Sequence, residues 1–152
     1  MRNAADNMGV SMEKQNIAYM NTSVLAFLGD SVYETYVRKH VIEKGQVNAD
    51  ILHRAAVRFV RADAQAYALK AMMDELTDEE QSLVKRARNK KISTKAKNAD
   101  PVIYKWATAF EALIGFLYLS NNHNRMEDRI LKAIELIEKK KEQGNNEKDR
   151  KE

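Results

Sequence analysis

Residues 100–117 read DPVIYKWATAFEALIGFL and form the most apolar segment of the chain. Asp100 is a typical helix N-cap and Pro101 is favoured at the first helical position, so a helix is predicted to begin here. Apolar residues lie on every side of this helix, which indicates burial on all sides. We therefore expect a central helix around which the rest of the chain packs.

Apolar residues continue at helical spacing on both sides of this segment. They predict helices over 24–44, 48–60, 62–74 and 78–88, and an amphipathic helix around 126–137. Asn21, Thr22 and Ser23 are N-cap candidates for the first helix, and Asn48 or Asp50 for the second. Thr77 with Glu80 forms a capping box. No segment predicts a strand, and five glycines and one proline are too few turn-formers for a many-stranded sandwich or barrel. The predicted fold class is all-α, a helical bundle.

A chain of 152 residues has the length of one domain. We expect a loosely ordered N-terminal extension over 1–20, one domain over 21–140 and a charged tail over 141–152. The absence of cysteine excludes disulfides, thiolate zinc sites and a cysteine nucleophile. No apolar run approaches the roughly 20 residues of a membrane span, and the N-terminus does not resemble a secretory signal. We therefore expect a cytoplasmic protein with no membrane partner.

Two acidic residues interrupt otherwise apolar helices. Asp30 follows Gly29, and neither residue type favours a helix interior. Glu111 lies in the most apolar helix, where a carboxylate needs a partner, a proton or a metal ion. Two carboxylates on packed helices would suit Mg²⁺, which proteins hold through one or two carboxylates together with waters and phosphate oxygens. The alternative is that each carboxylate forms a structural ion pair with a core arginine.

The basic residues are concentrated in one segment. The formal net charge of +4 is too small to indicate a partner, but residues 85–97 contain seven basic residues and no acidic one. The helix dipole explains the basic residues that end a helix, but not those of the loop that follows. The candidate phosphate contacts are Arg86, Arg88, Asn89, Lys90, Lys91, Ser93, Thr94, Lys95, Lys97 and Asn98. This composition is typical of backbone contacts to nucleic acid. A solvated basic loop without a partner is the alternative.

Two further features have two interpretations each. Basic side chains share one face of the predicted helix over 48–60: His53, Arg54, Arg58 and Arg61. They either extend the basic surface or pair with neighbouring acids such as Asp63. Glu34 lies one helical turn after Asp30, so it either joins the metal site or forms an ordinary pair with Arg38.

The segments around the two carboxylates resemble the ribonuclease III family. Residues 25–34, LAFLGDSVYE, resemble the signature helix of its catalytic domains, and residues 107–115, ATAFEALIG, resemble its second acidic helix. The order of the two helices and the basic segment between them are also similar. The resemblance covers about residues 20–140 and is closest to a short bacterial branch, Mini-ribonuclease III, which lacks a double-stranded-RNA-binding domain.

The resemblance implies a dimeric, all-α endonuclease that cuts double-stranded RNA with Mg²⁺ and leaves 5′-phosphate and 3′-hydroxyl ends. It implies that Asp30 and Glu111 are the catalytic and metal-binding carboxylates, and that the basic segment binds RNA. It also implies that Phe27 contacts the partner subunit, although the spacing of Phe27 equally fits an ordinary core phenylalanine. The short branch further implies the 23S ribosomal RNA precursor as the substrate.

The chain departs from full-size family members at two positions. Ala26 stands where they have Glu, and Thr108 stands where they have Asp. The short branch shows the same reduction, so we expect fewer protein ligands and more water and phosphate oxygen around the metal ion. The alternative function is a non-catalytic double-stranded-RNA-binding or ribosome-assembly protein, and a second alternative is an all-α protein–protein adaptor.

Overall fold

The computed structural model describes residues 14–45, 48–91 and 100–150. Within these ranges the chain forms seven α-helices, one 3₁₀ turn and no strand. In chain order these are α1 (Lys14–Ala18), α2 (Thr22–Glu43), α3 (Ala49–Val60), α4 (Ala62–Met72), the 3₁₀ turn (Met73–Glu75), α5 (Asp78–Asn89), α6 (Pro101–Leu119) and α7 (His123–Asp149). The predicted all-α fold class is confirmed.

Four helices begin at N-caps that the sequence predicts. In each, a side-chain oxygen of the cap accepts a hydrogen bond from a backbone N–H group of the first turn. The caps are Asn21 for α2, Asn48 for α3, Thr77 for α5 and Asp100 for α6. Thr77 and Glu80 form both hydrogen bonds of the capping box. Because a cap satisfies N–H groups that the helix itself leaves unpaired, these residues determine where the helices start.

The central helix is α6, which packs against α2, α4 and α5. Its residues from Ala112 to Leu117 are all buried, as its apolar sequence predicts. By length and composition α6 is the one helix in the described ranges that is long and apolar enough to cross a membrane. This finding corrects the expectation that no apolar segment approaches such a length. The core helix of a helical bundle has the same length and apolar composition as a membrane span. Because α6 packs against three other helices, it is the core helix of this bundle.

The helices α2 and α6 cross at two glycines, with their backbones in contact. A Cβ atom added to Gly29 would lie 1.7 Å from the carbonyl oxygen of Glu111, and one added to Gly115 would lie 2.0 Å from the carbonyl oxygen of Leu25. No other residue type fits at either position, because any side chain would overlap the opposite backbone. The crossing therefore explains why Gly29 lies inside a helix, and it brings Asp30 close to Glu111.

The connection between α3 and α4 is held against α2 by a buried tyrosine. The hydroxyl of Tyr33, which is fully buried, donates a hydrogen bond of 2.9 Å to the carbonyl oxygen of Phe59. The ring of Tyr33 packs edge-on against Phe110 of α6, with 4.8 Å between the ring centroids. The corner formed by Val60, Arg61 and Ala62 is thereby placed beside the α2–α6 crossing.

The two ends of the described chain are more regular than the sequence predicts. Residues 14–18 form α1, and Ile17 is 1% exposed and belongs to the core, although a loosely ordered extension was expected over 1–20. At the other end, α7 continues to Asp149, so most of the charged segment expected as a tail over 141–152 is helical. A single buried isoleucine on a short polar helix carries too weak a pattern to be recognised in the sequence.

Candidate active site

A cleft of about 270 Å³ lies beside the α2–α6 crossing. It is lined by Ser23, Ala26 and Phe27 of α2, Val60 and Ala62 at the α3–α4 corner, and Tyr104, Ala107, Thr108 and Glu111 of α6. Asp30 is exposed next to Gly29, near enough to Glu111 for its negative charge to shift the pKa of that carboxyl group. The structure therefore brings together the two carboxylates that the sequence singles out.

The electrostatics of the two carboxyl groups differ because their burial differs. Burial, together with the negative charge of Asp30, raises the pKa of Glu111 to about 8, although the nearby Gln65 amide partly offsets this rise. Partial burial and the charge of Glu34 raise the pKa of Asp30. Glu111 consequently holds its proton more tightly than an exposed glutamate does.

The lining of the cleft shows where this chain lacks two carboxylates of the full-size pattern. Ala26 and Thr108, the two positions where full-size members carry further carboxylates, both line the cleft beside Glu111. In place of two negative charges, Ala26 leaves open space and Thr108 provides a hydroxyl group. In the described ranges, no group of three or more His, Asp or Glu side chains is arranged to hold a metal ion. Among the residues that the structure describes, the site therefore offers a cation at most two carboxylates.

Two hard oxygen ligands of this kind still fit Mg²⁺. A hydrated Mg²⁺ ion needs only one or two carboxylates from the protein when waters and substrate phosphates complete its shell. A cation between Asp30 and Glu111 would also relieve the repulsion that raises the pKa of Glu111. Glu34 is not brought into this pair, because its Oε1 lies 2.7 Å from Nη2 of Arg38. Of the two interpretations of Glu34, the ordinary helix pair with Arg38 therefore agrees with its contacts.

We expect Glu111→Gln to raise the melting temperature of the protein above pH 8 and to lose that advantage as the pH falls. The pKa of Glu111 is about 8 in the folded chain, against an ordinary value of 4.5. The folded chain therefore binds this proton more tightly than the unfolded chain, and stability decreases as the pH rises from 4.5 to 8. Each unit of pKa shift corresponds to about 1.4 kcal/mol of unfolding free energy. Above pH 8 the variant should therefore be more stable than the wild type by an amount on the order of a few kcal/mol. Thermal melts over a pH series measure it.

Glu80→Gln is the matched control, because it should respond in the opposite direction. Burial alone would raise the pKa of Glu80, but hydrogen bonds from Arg125 and from the Thr77 backbone lower it overall. The fold thus stabilises the charged form of Glu80, so the variant should be less stable than the wild type near neutral pH. This difference in stability should disappear as the pH falls and Glu80 of the wild type becomes protonated. Equal responses of the two variants would contradict the electrostatic difference between the sites.

The described part of the basic segment is partly occupied by contacts within the chain. Arg86 donates to the carbonyl oxygen of Met20 at 3.3 Å, and Nζ of Lys90 donates to the side chains of Asn21 and Ser23. The guanidinium of Arg88 lies 4.5 Å from the ring centre of Trp106. The side chains of Asn89 and Lys91 are exposed, whereas Ser93, Thr94, Lys95, Lys97 and Asn98 lie outside the described residues. Arg86 and Lys90 therefore also brace the start of α2, beside the cleft.

The four basic residues in and directly after α3 contact different partners and form no common basic surface at the cleft. Arg61 pairs with Asp63 at 3.2 Å, as one interpretation of the sequence predicts. Nε of Arg54 donates to the carbonyl oxygen of Asp50, and the guanidinium of Arg58 lies 5.8 Å from the ring centre of Phe59. His53 lines a separate groove between α2 and α3. None of the four lines the cleft that contains Glu111.

Phe27 is 81% exposed, so its interpretation as an ordinary core phenylalanine is wrong. It lies on α2 at the edge of the cleft, and Val24, one turn before it, is 52% exposed. Large apolar side chains that project from a helix beside a functional cleft are typical of an interaction surface. Their exposure leaves room for the partner contact that the sequence resemblance implies.

The sequence analysis missed one polar residue at the site. Gln65 of α4 is 1% exposed and lies near enough to Glu111 for its amide to lower the pKa of that carboxyl group. A signal was present, because Ala68, Leu69 and Met72 lie three, four and seven residues later and are all buried. An amide on the apolar face of a helix is as unusual as the carboxylate of Glu111, and it indicates a buried polar partner.

Comparison with known proteins assigns this arrangement to a family. Residues 23–122 match the ribonuclease III domain. Mini-ribonuclease 3 of Brevibacillus brevis is 50% identical over 118 residues, covering 78% of this chain and 88% of that protein. Mini-ribonuclease 3 of Clostridium tetani is 41% identical over 132 residues, covering 86% of this chain and 87% of that protein. A crystal structure of a protein from Fusobacterium nucleatum is 32% identical and has a TM-score of 0.70, covering 77% of this chain and 93% of that chain.

The matched region spans α2 to α6 and so contains the α2–α6 crossing and both carboxylates. The matches cover 88% and 87% of the two Mini-ribonuclease 3 proteins, so the similarity extends over most of each of them. Fold, site and similarity agree with the resemblance seen in residues 25–34 and 107–115. The chain belongs to the ribonuclease III family, in the branch of the Mini-ribonuclease 3 proteins.

Proposed function

We propose that this endoribonuclease cleaves double-stranded RNA with Mg²⁺ at the cleft of Asp30 and Glu111, and that it matures the 23S ribosomal RNA precursor in the cytoplasm. The observation that carries the cleavage site is the pair itself. A mostly buried glutamate with a pKa raised to about 8 lines an open cleft, and the charge of a second carboxylate, Asp30, acts on it from next to the helix crossing. Such a pair is costly for the fold and suits cation binding. The ribosomal substrate is supported by the sequence resemblance to the short branch.

In the proposed mechanism Asp30 and Glu111 would hold the cation, with Glu111 in its deprotonated form and its proton lost to solvent. Mg²⁺, when bound, would polarise a phosphate oxygen and lower the pKa of the attacking water. The open space beside Ala26 and Thr108 admits the water and the phosphate group. Direct attack by water needs no covalent enzyme intermediate, and we expect it to leave 5′-phosphate and 3′-hydroxyl ends.

The deciding experiment incubates the purified protein with labelled duplex RNA, including the paired ends of a 23S precursor, with and without Mg²⁺. We expect cleavage only with Mg²⁺, and mapping of the product ends identifies the bond that is broken. Binding without cleavage of any duplex would instead favour the non-catalytic RNA-binding function. Absence of duplex binding at every salt concentration would favour a protein–protein adaptor.

We expect the double variant Lys95→Ala and Lys97→Ala to bind duplex RNA more weakly and with a smaller salt dependence. Double-stranded RNA is recognised largely through its shape, phosphates and 2′-hydroxyls, so a basic loop contributes mainly charge. Each lost phosphate contact should reduce the slope of log K against log salt by roughly 0.7–0.9. Binding titrations at several salt concentrations measure both effects.

The matched control removes two lysines that the structure already pairs with acids. Lys39 lies 3.9 Å from Glu43, and Lys139 lies 2.7 Å from Glu135. Lys39→Ala with Lys139→Ala lowers the net charge by the same amount. If this control weakens RNA binding as much as the loop variant does, overall charge and not the loop determines the affinity.

We expect the protein to be a homodimer that Phe27→Asp converts to monomers. The exposed rings and methyl groups of Phe27 and Val24 form an apolar surface on α2 beside the cleft. Placing a charge at the centre of such a surface opposes its burial against a second copy. Sedimentation should show twice the 17.5 kDa chain mass for the wild type and a single chain mass for the variant.

Leu131→Asp on α7, where the side chain is 52% exposed, is the control and should leave the dimer intact. A monomeric wild type would contradict the prediction.

A further inference from the structure

A second concave surface lies beside the α3–α4 corner, between the corner and the C-terminal half of α7. Its volume is about 370 Å³, and four of the side chains that line it are basic: Arg58, Arg61, Lys140 and Lys141. We call this surface the basic groove. It is separate from the cleft that contains Glu111, because the two share no lining residue.

The two acidic residues of the basic groove are already paired. Asp63 lies 3.2 Å from Nε of Arg61, and Glu138 lies 3.1 Å from Nζ of Lys44 on the neighbouring helix end. Among the residues that the structure describes, Arg58, Lys140 and Lys141 have no carboxylate at ion-pair distance. The groove therefore presents unpaired positive charge, which suits an anion.

Aromatic rings lie against two of these cations. Nζ of Lys140 is 4.1 Å from the ring centre of Tyr67 on α4, and the guanidinium of Arg58 is 5.8 Å from the ring centre of Phe59. A ring attracts a cation without neutralising its charge. A side chain held in this way loses less conformational freedom when it binds an anion than a freely moving surface lysine does.

The basic groove and the cleft meet at the α3–α4 corner. Phe59 and Arg61 line the groove, whereas Val60 and Ala62 line the cleft. Because consecutive Cα atoms are about 3.8 Å apart, the two surfaces begin within a few ångströms of each other. A duplex with one phosphate in the cleft can therefore reach the groove with another.

We propose that the basic groove binds a backbone phosphate of the duplex RNA, away from the bond that is cut, through Arg58, Lys140 and Lys141. The inference rests on the proposed function, because it takes duplex RNA as the substrate. Phosphate contacts fix the position of a nucleic acid without reading its sequence. The groove thus holds the duplex across the α3–α4 corner and takes no part in bond cleavage.

The test compares the wild type with a groove variant that carries Arg58→Gln, Lys140→Gln and Lys141→Gln. We expect the KM for duplex RNA to rise by about 10-fold or more, the usual effect of losing a charge-assisted hydrogen bond. The slope of log K against log salt should decrease by at least about 0.7. The kcat should stay close to the wild-type value. Hydroxyl-radical footprinting without Mg²⁺ should lose protection only outside the cleavage site.

The matched control also removes one arginine and two lysines, all of them paired with acids. It carries Arg38→Gln, Lys39→Gln and Lys139→Gln, whose partners are Glu34, Glu43 and Glu135. We expect this control to keep the wild-type KM and footprint. Lys139 lies on α7 directly before Lys140, so the comparison separates the groove from the general charge of that helix.

The single variant Lys141→Gln keeps the test decisive if the groove variant does not fold. Lys141 contacts no ring and no acid among the described residues, so its replacement leaves the fold unchanged. We expect it to raise the KM for duplex RNA by a smaller factor than the groove variant does. Melting temperatures identify any variant whose fold is disturbed.

Several results would overturn the inference. One is an unchanged KM and salt slope in folded groove variants, and another is an equal loss in the control. A fall in kcat at unchanged KM would give the groove a role in cleavage instead. Titration with ADP tests a free nucleoside phosphate as the occupant, and ADP binding that the groove variant loses while RNA affinity is kept would also refute RNA binding there. A wild type that neither binds nor cuts duplex RNA contradicts the proposed function itself.

Discussion

We expect Glu111→Gln and Asp30→Asn each to lower RNA cleavage by at least about 10³-fold while the protein stays folded and binds duplex RNA. A factor of this size corresponds to about 4 kcal/mol of transition-state stabilisation, which is in the range that a bound metal ion supplies. With Ala26 and Thr108 in the cleft, no further carboxylate is placed there to compensate. Single-turnover cleavage assays measure the loss, and circular dichroism and RNA binding show that the fold persists.

Glu34→Gln is the control for this prediction. Glu34 is also acidic and lies on α2 one turn after Asp30, but it pairs with Arg38. We expect it to change the cleavage rate by far less than either substitution in the cleft. Cleavage that survives both Asp30→Asn and Glu111→Gln would refute the proposed site. Loss of the fold in either variant would instead give the carboxylates a structural role.

We expect Gly115→Ala to prevent stable folding or to reduce the free energy of unfolding by more than about 3 kcal/mol. Its Cβ atom would lie 2.0 Å from the carbonyl oxygen of Leu25, and two packed helix backbones have no flexible side chain that can move aside. The helices must separate at their crossing, which disturbs the packing of the core around α6. Denaturant unfolding measures the loss, and the same shift should separate Asp30 from Glu111 and lower the activity of any folded fraction.

Gly144→Ala is the matched control within the same chain. A Cβ atom added to Gly144 on α7 has no atom within 4 Å, so the substitution introduces no clash. Because alanine favours helix by up to about 1 kcal/mol over glycine, this variant should be as stable as the wild type or more stable. A Gly115→Ala protein with wild-type stability would show that the helices can separate without cost.

Much of the fold follows from local sequence patterns. The helix caps, the capping box and the apolar periodicity act over three to four residues, so they are visible in the chain without its tertiary structure. They place α2 to α6 close to their observed ends, and they identify α6 as the central helix. The short α1 escapes prediction because its one buried residue, Ile17, forms no periodic pattern.

The site was predicted through residue types that do not suit their surroundings. Asp30, Gly29 and Glu111 each oppose local helix propensity or burial, and such conflicts point to tertiary or functional demands. The chain by itself therefore determined the fold class, the two carboxylates and the family resemblance. It left open whether Phe27 and Glu34 belong to the core, to an ion pair or to a site, because one spacing fits each alternative.

Only the tertiary structure decided those questions, because they depend on which helix faces meet. The contact between the α2 and α6 backbones places Asp30 beside Glu111, and burial beside that charge raises the pKa of Glu111 to about 8. The exposure of Phe27 and the pairing of Glu34 with Arg38 depend on the same packing. The effect of Gln65 on the pKa of Glu111 relates residues 46 positions apart, and no local pattern records the proximity of helices that distant in sequence.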